Sequence, residues 1–275
     1  MTITAPARRE GGLLDGRVVL ITGGTGGIGF ACARSCGIAG AAVVLASLID
    51  DELSMATNRL AGDGVTALSV KMDVRDFDSV EQAVGRTVEK FGRLDAVVAN
   101  AGVADQSLLT SGDPGRWRNV IETNLIGTAH TLRAVTPRLI NSGGGDIVLM
   151  ASVSGRESYV GEPAYIASKW GVVGLGHAAR RELEQHGIRV SLVEPGLVDT
   201  PLTRDSPVVR RLLDSGPSLS PEDVAESVLW VLCRPRHVSI SELVVRPVGR
   251  EDVQLCGNQH LSEPQAHRTC DPGLR

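Results

Sequence analysis

The feature that most narrows the fold of this chain is the run Val18-Val19-Leu20-Ile21, followed at once by Thr22-Gly23-Gly24-Thr25-Gly26-Gly27-Ile28-Gly29 and then Phe30-Ala31-Cys32-Ala33-Arg34. A short continuous apolar, β-branched run has the pattern of a strand buried on both faces, as in parallel sheets covered by helices. The residues after Gly29 have helical character. Strand, glycine loop and helix in this order form the context of a dinucleotide site. The glycines permit a tight turn and close backbone approach, and the free N–H groups and positive end of the helix receive a pyrophosphate.

The same alternation continues down the chain. Strands are predicted at Ala42 to Ala46, Thr66 to Met72, Leu94 to Ala99, Asp146 to Ala151, Ile188 to Val193 and Leu243 to Arg246. Helices are predicted at Asp50 to Leu60, Phe77 to Phe91, Arg116 to Ile140, about 162 to 186, and Pro221 to Leu232. Seven strands separated by helix-length segments imply parallel βαβ units with right-handed crossovers and helices on both faces of one sheet. Pro137 lies late in the Arg116 helix and is expected to kink or shorten it. No repeat or linker divides the chain, so 275 residues read as one large α/β domain.

Composition excludes several function classes. The formal charge of −4 leaves no polybasic footprint, so neither nucleic acid nor an anionic membrane is an expected partner. No run approaches the roughly 18 apolar residues of a membrane span, and the N-terminus lacks the apolar core of a secretory signal, so the expected location is cytoplasmic. Five cysteines, an odd number without a C-x-x-C pair, fit a reducing compartment. Cys32 and Cys36 share a helix face and read as small packing residues, and the six histidines are scattered, so no metal is expected.

The chemistry concentrates between Ser152 and Lys169. If the helix there is regular, the i, i+4 spacing of Tyr165 and Lys169 puts phenol and ammonium on one face. A free phenol titrates near ~10. A neighbouring cation favours the phenolate and brings the pair into range as a proton donor or acceptor.

Taken together, these residues resemble the short-chain dehydrogenase/reductase (SDR) family over about residues 15 to 248. Thr22-Gly23-x-x-x-Gly27-x-Gly29 resembles the family's nucleotide loop, with Thr25 and Ile28 inside it. Asp73-Val74 is similar to its adenine-side contact, and Asn100-Ala101-Gly102 to its turn after the fourth strand. Asn124 sits where the family keeps an active-site asparagine, and Ser152 lies thirteen residues before Tyr165, as in the family pattern. Pro195-Gly196, with Val198 and Thr200, resembles the segment that closes over the nicotinamide.

The resemblance implies a single Rossmann-type doubly wound α/β domain at 15–248, a seven-stranded parallel sheet in the order 3-2-1-4-5-6-7, and a lid at about 200–216. Residues 1–14 would be a flexible arm and 249–275 a flexible tail. It implies an NAD(P)-dependent oxidoreductase interconverting a secondary alcohol and a ketone, without metal. Ser152 would bind the substrate oxygen, Tyr165 would transfer the proton, and Lys169 would depress the phenol's pKa and hold the nicotinamide ribose. Asn124 would hold a water of a proton relay. Assembly as a homotetramer or dimer through the two long helices is also implied. The alternatives are a non-catalytic NAD(P)-sensing protein and an epimerase or dehydratase that reuses the hydride internally.

Two regions depart from the pattern. At the end of the second strand, where a carboxylate would bind the NAD ribose or a basic group the NADP phosphate, stand Ala46-Ser47-Leu48. With no carboxylate there, Ser47 would accommodate a 2′-phosphate, and the reading leans to NADP; Asp50 or Asp51 reaching the ribose would favour NAD instead. In the lid, Arg204, Arg210 and Arg211 would either greet an anionic or polyhydroxylated substrate or form a solvated helix face. Tyr159, Glu162 and Leu197 flank the expected pocket as substrate contacts. The closing Ile240 to Pro247 resembles a subgroup acting on small hydroxy acids and related alcohols.

Overall fold

The apolar run that opens the regular structure lies at the centre of a parallel sheet. In this computed structural model, which describes residues 12–249, strand β1 (Val18–Thr22) pairs with β2 (Ala42–Ser47) on one side and β4 (Ala96–Ala99) on the other. The sheet continues outward through β3 (Ala67–Lys71) on the first side. On the second come β5 (Gly145–Met150), β6 (Ile188–Pro195) and β7 (Glu242–Val245), giving the order 3-2-1-4-5-6-7. The expected topology is observed.

Alternation along each strand divides the core in two, because successive side chains leave a strand on opposite faces. Val19, Ile21, Val43, Leu45, Ala96 and Val98 meet helices α1 (Gly27–Ile38), α2 (Asp50–Gly62) and α9 (Pro221–Leu232). Val18, Leu20, Val44, Ala46, Val97 and Ala99 meet α3 (Phe77–Phe91), α5 (Gly127–Asn141) and α6 (Pro163–Leu183). Cys32 and Cys36 are buried, unbridged packing residues of the first layer. Each large side chain so buried contributes about 1.5–3 kcal/mol.

Several local expectations are refined. The helix predicted from Arg116 to Ile140 is three segments: α4 (Pro114–Ile121), a π-helical turn at Glu122–Ile126, and α5. Pro137 does not shorten α5, which runs on to Asn141. The segment expected as a lid comprises two short helices, α7 (Pro201–Arg204) and α8 (Pro207–Ser215), capped by Thr200 and Ser206. Its two ends are stitched together, the Asp199 N–H donating to Leu219 O at 2.8 Å and the Leu219 N–H to Leu197 O at 2.9 Å. The expected N-terminal arm ends too late in the sequence reading: Leu14 is buried in the first core layer and its N–H donates to Ala39 O at 2.8 Å. Residues 1–11 and 250–275 lie outside the described residues, and with them most of the predicted arm and tail. No helix among the described residues is long and apolar enough to cross a membrane.

At the N-terminal edge of the sheet, buried Asp146 gathers three arginines. Arg17 pairs with one carboxylate oxygen, while Arg189 Nε (2.6 Å) and Arg236 (3.3 Å) take the other. Next to it Asp95 accepts the Val18 N–H at 2.9 Å and pairs with Arg93. Removing a buried carboxylate from such a cluster leaves uncompensated cations, at a cost of about 3–5 kcal/mol. Asp146→Ala is therefore expected to lower the unfolding free energy by that order in denaturant titration. A change below about 1 kcal/mol would show that the cluster behaves like a surface pair.

Candidate active site

The C-terminal ends of the central strands open into a cavity of about 580 Å³, within the size range of ligand pockets. Its wall is assembled where β1, β4, β5 and β6 finish, at Gly23, Asn100, Met150 and Pro195. The glycine loop is held by stitching between β1 and β4. Thr22 Oγ1 accepts the N–H groups of Asn100 and Ala101, both at 2.9 Å, and Asn100 Nδ2 donates to the carbonyls of Thr22 (3.0 Å) and Gly23 (3.2 Å). A Cβ on Gly29 would collide with the Gly23 carbonyl, and one on Gly23, whose φ is +63°, would lie 2.9 Å from Ala101 Cα.

The start of α1 suits an anion. Its N-cap is Gly26, no side chain caps the first turn, and that turn carries no acidic residue. A Cβ on Gly26 would meet open space. The orphan N–H groups of the first turn, with Gly27 and Ile28 in the cavity wall, therefore face a space that a pyrophosphate can fill. The residues present fit a dinucleotide.

On the other side of the cavity, α6 carries the predicted pair, Tyr165 and Lys169. The tight turn Val153–Gly155 lies against α6, where a Cβ on Gly155 would be 3.0 Å from the Lys169 carbonyl oxygen. That contact sets Ser152 beside Tyr165. Lys169 is buried and its ammonium donates to Met150 O at 2.8 Å, 5.6 Å from the centre of the Tyr165 ring. Burial pulls the Lys169 pKa down to about 8. Tyr165 is pushed up to about 12, first by burial and then by the Glu162 carboxylate, against the opposing pull of the Ser152 hydroxyl. The expectation that Lys169 depresses the phenol's pKa is thus not met in this state. The ammonium is turned onto a backbone carbonyl, and burial together with the Glu162 carboxylate sets the direction of the phenol's shift.

Asn124 stands behind the wall, 1% exposed, in the π-helical turn. Its Oδ1 accepts the Val103 N–H at 2.8 Å, and its Nδ2 donates to Val103 O (2.9 Å) and Ser168 Oγ (3.0 Å). The extra residue of the π turn is the kind of irregularity often found at functional sites. Here it accompanies a side chain that ties the loop after β4 to α6.

Of the predicted site residues, Gly23, Thr25, Gly27, Ile28, Asn100, Ala101, Gly102, Ser152, Tyr159, Glu162, Tyr165, Lys169, Pro195, Gly196, Leu197, Val198 and Thr200 line this cavity. Gly29, Ser47, Asp73, Val74 and Asn124 are not in its wall. Asp73 pairs with Arg75 at 2.7 Å, which holds its carboxyl below the usual range, and Val74 is packed in the core. Two of the three arginines of the expected lid are engaged at the surface: Arg204 pairs with Asp199 at 2.5 Å, and Arg210 donates to the Arg204 carbonyl at 2.6 Å. The sequence reading missed Glu52, Gln106 and Arg246, which also line the cavity. Asp50 is engaged by Lys71 at 2.6 Å, whereas the Glu52 carboxylate accepts from Thr25 Oγ1 at 2.9 Å.

A family model described as short chain dehydrogenase matches residues 17–208. The chain belongs to the short-chain dehydrogenase/reductase family. An uncharacterized oxidoreductase of Staphylococcus saprophyticus is 34% identical over 236 residues, covering 86% of this chain and 99% of that protein. Among solved structures, a short-chain type dehydrogenase/reductase from Mycobacterium marinum superposes with a TM-score of 0.80 at 29% identity, covering 85% of this chain and 95% of the other. A metagenomic short-chain oxidoreductase in complex with NADP gives a TM-score of 0.75 at 32% identity, covering 86% and 100%.

The buried ammonium makes this family member's site intrinsically unfavourable. An unfolded lysine stays charged to about 10.5, the native one only to about 8. Between those values the unfolded chain holds the extra proton and native stability rises with pH. Lys169→Met is expected to stabilise the cofactor-free protein by about 2 kcal/mol at neutral pH, with the advantage closing as pH rises through the 8-to-10.5 interval. Paired thermal melts at neutral and alkaline pH measure it; a destabilised variant at neutral pH contradicts the electrostatic account.

Proposed function

We propose that this SDR protein is an NAD(P)-dependent oxidoreductase that interconverts a secondary alcohol and a ketone, with Tyr165 as the proton donor and acceptor. The observation that carries this reading is the convergence of Ser152, Tyr165 and Lys169 on one cavity with the uncapped start of α1. The nicotinamide cofactor, when bound, supplies or takes up the hydride. Ser152 hydrogen-bonds the substrate oxygen and steadies the charge that develops on it. Tyr165, kept protonated by burial, gives its proton to that oxygen during ketone reduction and takes one from the alcohol in the reverse direction. Lys169 holds the ribose of the nicotinamide and, turned from Met150 O toward the phenol, favours the phenolate. Asn124 fixes α6 relative to the loop after β4, and its water-holding role in a proton relay belongs to the same reading. Exposed Ile126 on the π turn, Ile140 on α5 and Trp170 on α6 support assembly as a homotetramer or dimer through these two long helical regions.

Cofactor choice turns on Glu52. The lean to NADP rests on Ser47 receiving a phosphate with no carboxylate nearby, and a relative has been solved with NADP. Glu52 supplies such a carboxylate: Thr25 Oγ1 bridges it to Ser47 Oγ at distances of 2.9 and 3.3 Å. A hydroxyl donates to that carboxylate and a phosphate is repelled by it, which weighs for NAD.

Two measurements test the reading. Tyr165→Phe is expected to lower kcat by at least about a hundredfold while reduced cofactor still binds, as followed by fluorescence titration; retained turnover would remove Tyr165 from the chemistry. Glu52→Gln is expected to shift the ratio of kcat/KM for NADP over NAD upward by about tenfold. An unmoved ratio would take Glu52 out of the choice.

A further inference from the structure

Glu162 is the N-cap residue of α6, yet its side chain makes no capping hydrogen bond. It is 6% exposed and lines the cavity together with Ser152, Tyr159 and Tyr165. Among the described residues, its carboxylate has one hydrogen-bond partner, Gln106 Nε2, which donates to Oε1 at 3.0 Å. The two cations of the same wall are engaged elsewhere, Lys169 with the Met150 carbonyl and Arg246 with Glu157. A buried carboxylate that neither caps its helix nor meets a cation is costly unless something else donates to it.

Its position says what that donor is. Glu162 stands at the helix start three residues before Tyr165, lines the same cavity wall, and its charge is felt by the phenol. A molecule whose reacting oxygen lies between Ser152 and Tyr165 therefore presents its next one or two atoms to Glu162. Resting on the alcohol–ketone reading above, we propose that Glu162, steadied by Gln106, selects substrates that carry a second hydrogen-bond donor, a hydroxyl or a protonated amine, next to the carbon that exchanges hydride. A carboxylate in that position is repelled. Burial raises the Glu162 pKa against the pull of Gln106, and a substrate ammonium relieves that strain more fully than a hydroxyl does.

The test uses four alcohols of one shape: isopropanol, propylene glycol, isopropanolamine and lactate, oxidised by the intact protein with its preferred cofactor. Propylene glycol or isopropanolamine is expected to exceed isopropanol in kcat/KM by roughly ten- to a hundredfold, with lactate below isopropanol. A gain for isopropanolamine alone assigns the donor as an ammonium, and a gain for both admits a hydroxyl. In Glu162→Gln the isopropanolamine advantage is expected to collapse toward unity and the discrimination against lactate to relax. Wild-type turnover of isopropanol at or above the rates of the glycol and the amino alcohol overturns the selection and leaves the oxidoreductase reading standing. An advantage unchanged in Glu162→Gln also overturns the selection. Failure of all four substrates while cofactor binds overturns both.

Discussion

The constraint on which the rest depends is the close approach of the glycine loop to the end of β4. Asn100 and Ala101 donate four hydrogen bonds to Thr22 and Gly23 across that junction, and they can do so because Gly23 and Gly29 have no Cβ to hold the backbones apart. The junction fixes the direction in which α1 leaves the sheet and so where its orphan N–H groups point. It also fixes the loop after β4, whose Val103 is clamped by Asn124, whose amide in turn reaches Ser168 on α6. Hydrogen bonds joined by the short run of backbone from Asn100 to Val103 thus connect the uncapped start of α1 to the helix that carries Tyr165 and Lys169.

Stability and chemistry pull against each other at α6. Burial of the lysine ammonium lowers the stability of the empty protein at neutral pH, and it drives the proton affinities of Lys169 and Tyr165 apart, to about 8 and about 12. The folding energy that tolerates this comes from elsewhere: two apolar layers on either face of the sheet and the ion-pair cluster around Asp146 at its far edge. Separation along the strands, structural charges at one end and reactive ones at the other, keeps the arginines of the first from quenching the second.

Much of this was legible in the sequence. The buried strands announced themselves as short apolar runs, and the helix-length segments between them implied their parallel sense. Helix α3 was marked by Val80, Ala83, Val84 and Val88 at helical spacing, and the structure adds Asp76 as its N-cap and left-handed Gly92 at its end. The residues that line the cavity from strand ends could be named because parallel strands all finish on the same edge. That same logic, extended to β7, would have found Arg246. What the sequence hid depends on tertiary approach. The π turn at Asn124 has no periodic signature distinct from a continuous helix, and Gln106 lies in irregular chain whose path no pattern sets. Glu52 was passed over for Asp50 and Asp51 because spacing alone cannot show that Lys71 draws Asp50 away. The direction of the Tyr165 shift was misjudged for a related reason: adjacency of a cation is visible in i, i+4 spacing, but the depth of burial and the turn of the ammonium onto Met150 O are not.

The central claim is that hydride passes directly between a bound nicotinamide and a carbon whose oxygen is protonated by Tyr165. The most direct test is a single turnover with cofactor deuterated at the transferred position and a simple methyl ketone, the products read by mass spectrometry. The account predicts stoichiometric cofactor oxidation with one deuterium on the carbinol carbon of the alcohol. Binding of cofactor without oxidation, or substrate conversion with the label returned to the cofactor, would contradict it.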